Sequence, residues 1–339
     1  MNARTRLAVL VGIVVVALVG AVSFVLASRN AHQDAVENAP PVASRADLAA
    51  VLAQPHVVFR STALGADYGF VAAVPLDDAG GARAFTQAQC ERIYARAQSA
   101  LCLVADRGMV TTYRAQLLDA SFAPVRDLSL TGLPSRARMS PDGSLTATTT
   151  FVFGDSYANP GQFSTRTLIS RSADGSPVAD LENFTLFVDG RVNNAVDRNI
   201  WGVTYVDDNT FYATAASGGV TWLVRGDVAA GTLTSIRTDV ECPSLSPDGT
   251  RIAFKKHGNL GGGQWRLAVY DLRTGQETEL AETRSVDDQA EWLDNDRVLY
   301  GLPREQEGTA SSDIWVVPAD GTGAPTLLIA DAWSPAVMR

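Results

Sequence analysis

The stretch Pro243 to Phe254, PSLSPDGTRIAF, decides the fold. It reads as a short apolar strand, a four-residue turn and a second apolar strand, which together make a β-hairpin. In Ser246-Pro247-Asp248-Gly249 the proline ring presets the first corner of the turn, and Asp then Gly tolerate the bridge and left-handed backbone that follow. Beyond the turn, Ile252 and Phe254 alternate with their neighbours at the period of a strand with one buried face.

The hairpin recurs along the chain. Aligned on the apolar residue ahead of the turn, the copies fall at Ile93, Met139, Tyr205, Leu245, Trp292 and Trp333, at intervals of 46, 66, 40, 47 and 41 residues. Ser140-Pro141-Asp142-Gly143 repeats the full motif, Asp207-Asp208-Asn209 and Asp294-Asn295-Asp296 are shorter versions, and Ala95 to Ser99 is degenerate. A period of about 40 to 50 residues with four short strands marks a propeller blade, which cannot cover both its faces alone and packs against its neighbours. Val57 to Thr62 and Gly69 to Leu76 read as second and third strands of a blade without a first. Trp333-Ser334-Pro335 begins another copy of the motif, so the carboxyl-terminal residues are expected to supply that missing inner strand and close the ring. The expected fold is all-β: a six-bladed β-propeller over residues 57–339, preceded by a single N-terminal transmembrane helix.

That helix is read from Leu7 to Ala27, 21 residues without a charge. At about 1.5 Å per residue it spans about 31 Å, the hydrocarbon thickness of a bilayer. Arg4 and Arg6 precede it, so the positive-inside bias puts residues 1–6 in the cytoplasm and the rest outside, on the cell membrane as a single-pass protein. Val25-Leu26-Ala27 also fits the small-residue pattern of a signal-peptide cleavage site, which would release the protein; the length of the apolar run favours an uncleaved anchor. Residues 28–56 read as a semi-extended polar stalk carrying Pro40-Pro41, with a short helix from Asp47 to Ala53.

The SPDG hairpins, the apolar residue before each and the count of six resemble the TolB-like (WD40-like) propeller repeats, over roughly Val57 to Arg339. The resemblance implies a fold and, more loosely, a role in binding other envelope proteins. The α/β domain that precedes the propeller in that family is missing, since fewer than 30 residues separate the anchor from the first strand.

Composition narrows the function. The chain has 339 residues, 46% hydrophobic and 19% charged, with a net charge of −9. An acidic surface without a basic patch argues against nucleic acid, which needs cations to displace counterions. No nucleophile elbow, P-loop, zinc-binding HExxH or dinucleotide fingerprint occurs, and the histidines, His32, His56 and His257, lie far apart in sequence; neither a metal, a cofactor nor an enzymatic activity is expected. Cys90 and Cys102 align onto the two strands of one hairpin and are expected to form a disulfide in an oxidising compartment, with two buried thiols as the alternative.

Binding residues are sought on the face where the loops between second and third strands gather with those leading into inner strands. Tyr157, Phe163, Arg198, Trp201, His257 and Trp265 stand there, residue types that anchor interfaces. Arg92, Arg138 and Glu291 precede the aligned apolar residue in three inner strands and, with Glu241 and Asp288, are expected to line the channel. The resulting expectation is a monomeric, membrane-anchored, non-catalytic module that binds an envelope protein or a cell-wall component. The alternative is a carbohydrate-binding or carbohydrate-active propeller that uses paired carboxylates at the channel mouth.

Overall fold

The computed structural model describes residues 3–37, 44–96, 98–108, 110–152, 164–304 and 311–339. Six sheets form the six blades, five of four strands and one of six. Blade 1 takes its inner strand from Ala332–Met338 and continues outward through His56–Ser61, Phe70–Pro75 and Ala84–Gln89. The inner strands of blades 2 to 6 are Arg92–Arg96, Leu133–Met139, Asn199–Tyr205, Glu241–Leu245 and Glu291–Trp292. Ring closure is antiparallel, with His56 opposite Met338 and Val57 opposite Val337.

The SPDG turn works the same way in blades 3 and 5. The Ser246 hydroxyl donates to Asp248 Oδ1 at 2.6 Å while accepting from the Arg251 N–H at 3.0 Å, and the Gly249 N–H donates to the Ser246 carbonyl at 2.8 Å. Ser140, Asp142, Leu145 and Gly143 repeat these bonds at 2.7, 3.0 and 2.9 Å. Both glycines take positive φ, 71° and 76°, where a Cβ is strained. Serine and aspartate thus satisfy the polar groups of the turn, and glycine gives it its last corner.

The core lies between blades. Val58, Ala73, Ile93, Leu101 and Leu117 fill the gap between blades 1 and 2, and Leu299, Ile314, Phe59 and Val337 that between blades 6 and 1. Ile93, Met139, Tyr205, Leu245 and Trp292, ahead of their turns, pack in these inter-blade cores, where burial of apolar surface is worth about 25 cal/mol per Å2, and Trp333 stands instead against Arg92. The 66-residue interval has its cause in blade 4, where an added hairpin, Thr185–Val188 and Arg191–Asn193, pairs parallel with Thr232–Thr238.

The apolar helix runs from Ala3 to Glu37, longer than the sequence reading, and its Val9–Ala31 portion has a mean hydropathy of 3.0. It is long and apolar enough to cross a membrane. The first part of the expected stalk is helical as far as Glu37, because Ala31, Gln33, Ala35 and Glu37 favour a helix and no proline intervenes before Pro40. Ser44 to Ala46 lies along the rim of blade 1: the Ala46 N–H donates to the Arg83 carbonyl at 2.8 Å, and Arg45 forks onto both oxygens of Asp67 at 2.6 and 2.7 Å. Asp47 then caps the short helix Leu48–Leu52 by accepting from the Ala50 N–H, and Val51 packs into the core.

Candidate functional site

The channel between the inner strands is filled by the segment that leads into blade 6, Asp287 to Glu291. Asp287 pairs with Lys255 of blade 5, and Arg136 of blade 3 approaches it at 4.0 Å. Asp288 accepts from Arg92 of blade 2 at 2.9 Å, and the Gln289 amide donates to the carbonyls of Val203 and Pro243 in blades 4 and 5 at 3.2 and 2.8 Å. Ala290 accepts from Arg138 of blade 3, and Glu291 sits 3.5 Å from Arg138 and 3.6 Å from Arg96 of blade 2. One five-residue segment thereby ties four other blades together. Asp288, Gln289, Ala290 and Glu291 are each at most 4% exposed.

Buried ionisable groups are tolerated where they are paired, as Asp288 and Glu291 are here, while the Asp287 side chain at the outer end of the segment is 61% exposed. Burial pushes the Asp287 carboxyl up, but Lys255, Arg136 and Arg92 outweigh it and hold the group below the usual carboxylate range. Burial pulls the Arg92 guanidinium down against the attraction of Asp288, whereas Arg136, also buried, is held above its ordinary value beside Cys242, Asp288 and Asp287. Cys242 is buried and free, with φ of 50°, at a bulge that also occurs at Gly202 in blade 4. A Cβ on Gly202 would come within 2.8 Å of Cys242 Cα, so these two inner strands approach closely.

At the loop face the channel mouth has two sides. On the blade 5 side, Glu241 Oε1 accepts from Trp265 Nε1 at 3.1 Å and lies 3.0 Å from His257 Nε2, while His257 Nδ1 is 2.9 Å from the Gln264 carbonyl. The two rings stand 5.0 Å apart and Lys255 Nζ lies 4.0 Å above the Trp265 ring. Glu241, Lys255, His257 and Trp265 form one cluster; the sequence places His257 and Trp265 on the loop face and Glu241 in the channel lining, and does not point to Lys255. On the opposite side, blades 1 and 2 hold a cavity of about 330 Å3 lined by Arg60, Arg92, Arg107, Glu91, Tyr68 and Trp333, among others. Of these only Arg92 was singled out from sequence, because Arg60 and Arg107 come from second strands and Glu91 from the residue ahead of an inner strand.

Two expected binding residues are placed differently. Trp201 is 8% exposed, packed within the inner strand of blade 4 rather than displayed on a loop. Arg198 is half-buried and donates to the carbonyls of Phe184 and Asn193 at 3.3 Å, so it braces the added hairpin. Burial of apolar surface and satisfaction of carbonyls won both side chains for the fold. Tyr157 and Phe163 lie outside the described residues. Cys90 and Cys102 are joined by a disulfide with Cα atoms 5.4 Å apart, Cys90 standing just ahead of the inner strand. Among the described residues no group of three or more His, Cys, Asp and Glu converges as a metal site.

A closed six-bladed ring, SPDG turns, an inner strand drawn from the carboxyl-terminal residues and a side-chain-filled axis make the chain a six-bladed β-propeller. No protein-family model matches the sequence, and no curated protein matches it. Among solved structures the chain is similar to TolB from Acinetobacter baumannii, with a TM-score of 0.59 and 16% identity over 84% of this chain, spanning 66% of that protein's length. A protein from Agrobacterium tumefaciens assigned as a TolB gives 0.51 and 14%, covering 84% of this chain and 98% of that one. A chain in a nidogen/laminin complex gives 0.55 and 9%, with the same coverages.

Proposed function

We propose that this protein is a membrane-anchored, extracytoplasmic binding module that engages an envelope protein through the loop face around its channel mouth and performs no catalysis there. The observation that carries the reading is the contrast within the channel. Four of its carboxylates, Asp287, Asp288, Glu241 and Glu291, face cationic partners from other strands, and Asp287 is held below its usual range, whereas acid and base catalysis by paired carboxylates needs one of them protonated near neutrality. The loop face, in turn, presents Trp265 and His257 on the blade 5 side and Arg60, Arg92 and Arg107 around the cavity on the other, and tryptophan and arginine are residue types that anchor protein interfaces. The apolar helix Val9–Ala31 serves as the anchor and holds the propeller outside.

The test uses the full-length chain in nanodiscs of neutral lipid, exposed to an envelope extract and cross-linked. Capture of one protein by the wild type, reduced in Trp265→Ala and His257→Ala, is the expected result. Capture unchanged by both substitutions would move the interface off this face. Turnover of a glycan substrate that is abolished by Glu291→Gln would overturn the non-catalytic reading.

A further inference from the structure

The blade 1 and blade 2 side of the mouth carries more hydrogen-bond donors than it can use. Arg60 is 7% exposed; its Nε donates to the Cys90 carbonyl at 2.8 Å, and its Nη2 reaches Glu91 only at 3.7 Å. Arg107, with a side chain 65% exposed, donates to the other Glu91 oxygen at 2.6 Å. Arg92 spends one nitrogen on Asp288. Three guanidinium groups, each with five N–H donors, thus border one cavity in which Glu91 is, among the described residues, the one carboxylate lining the wall. Two of the forks are held flat by aromatic rings, Arg60 at 4.8 Å from the Tyr68 centroid and Arg92 at 4.7 Å from that of Trp333. A guanidinium fixed in this way loses little entropy when it receives a carboxylate through two parallel bonds. In a chain whose net charge is −9, this excess of cationic donors is a local reversal of sign.

The cavity does not end at the mouth. Arg60, Glu91 and Arg107 also border the cleft between blades 1 and 2, about 660 Å3 in volume. Five consecutive residues of the outer strand of blade 1, Phe85 to Gln89, line that cleft. This strand is the last named strand of its sheet, and between Phe85 and Gln89 it bulges, Ala72 standing opposite Phe85 and Phe70 opposite Gln89, so its side chains do not alternate strictly and all five residues reach the cleft. The start of this strand is covered by the chain's own Ser44 to Ala46, which bridges to Arg83, and the Ala88 N–H is taken by Thr86 Oγ1, so a segment laid in the cleft meets the side chains of Phe85 to Gln89.

We propose that the mouth and cleft together form a site for an extended acidic segment of a partner polypeptide, one carboxylate of which is held by Arg60, Arg92 and Arg107 while the chain runs along the outer strand of blade 1. The assignment rests on the binding-module reading above and names the chemistry of the partner. A free oxyanion would fill the mouth and leave the cleft empty.

The experiment measures binding of a fluorescent heptapeptide, Thr-Val-Thr-Asp-Thr-Val-Thr, and of its Asn counterpart, to the full-length chain in neutral-lipid nanodiscs. The Asp peptide is expected to bind at least about tenfold more tightly than the Asn peptide, with an affinity that falls as salt rises. Arg107→Gln, a change at an exposed side chain, is expected to weaken it about fivefold. Glu91→Gln, which removes the competing carboxylate, is expected to strengthen it about threefold, a gain that a purely structural role for Glu91 would not produce. Equal affinity for the two peptides, or no response to either substitution, overturns the proposal. Inorganic phosphate competing as strongly as the Asp peptide also overturns it, in favour of a small oxyanion. If the peptide fails to bind while the cross-linked envelope protein is still captured in a Trp265-dependent way, the binding-module reading stands and the acidic segment alone falls.

Discussion

Arg92 and Asp288, 196 residues apart in the chain, meet at 2.9 Å in the channel and join blade 2 to the lead-in of blade 6. Asp288 is 1% exposed and its second oxygen accepts from the Gly301 N–H at 3.3 Å, so the carboxylate is held from two sides. The pair is a specification of blade order as much as a source of stability, because only the closed ring brings the two together.

Removing one partner leaves the other buried and uncompensated. Asp288→Ala is expected to destabilise the protein by about 3–5 kcal/mol, whereas the double variant Arg92→Met with Asp288→Leu recovers most of that loss. Urea unfolding of the single and double variants measures the difference. A single variant as stable as wild type would show that the pair carries no load.

Glu182, between blades 3 and 4, titrates in an informative direction. Burial pushes its carboxyl up to about 8, despite hydrogen bonds from the Ile200 N–H and the Thr165 hydroxyl. The folded state therefore keeps a proton that the unfolded state releases near pH 4.5, and this contribution to stability is full below that pH and is lost as pH rises through about 8. Glu182→Gln retains the acceptor and cannot ionise, so it is expected to melt close to wild type at pH 5 and to be more stable by about 1–3 kcal/mol at pH 9. Thermal melts at the two pH values check the sign.

The Cys90–Cys102 bridge closes a loop with a sequence separation of 12. Replacing both by serine is expected to cost about 2–3 kcal/mol. Peptide mapping without reductant is expected to alkylate Cys242, once unfolded, and neither of the other two.

Deleting Ala332 to Arg339 removes the inner strand of blade 1 and exposes the whole edge of His56–Ser61, a strand buried along its length. Aggregated protein is the expected product. A soluble monomer with wild-type melting would rule out closure by this strand.

The fold is legible in the sequence because its punctuation is local. The bonds that close the SPDG turn join residues within five positions, so Ser246 to Arg251 carry their own geometry and their repetition counts the blades, while the bond from the Asp248 N–H to Asn295 Oδ1 is added from the next blade. The site is less legible because it is assembled across blades. The position of Arg92 ahead of Ile93 indicates an axial side chain, but nothing near it in sequence points to Asp288, to the Trp333 ring that flattens it, or to Arg60 and Arg107 beside it. Trp201 shows the reverse: a tryptophan near a long loop reads as an anchor, and the structure places it on the inner strand of blade 4, buried beside the bulge at Gly202. The added hairpin leaves only an overlong interval as its trace, which tells of an insertion and not of its parallel pairing.

The docking of Ser44 to Ala46 on the rim of blade 1 has a mechanical consequence. Tension on the apolar helix reaches the propeller first through Arg45 on Asp67 and Ala46 on Arg83, a handful of contacts at the edge of one sheet. A pull from that side would therefore meet these rim contacts before the ring's own ladder, which begins at His56–Met338.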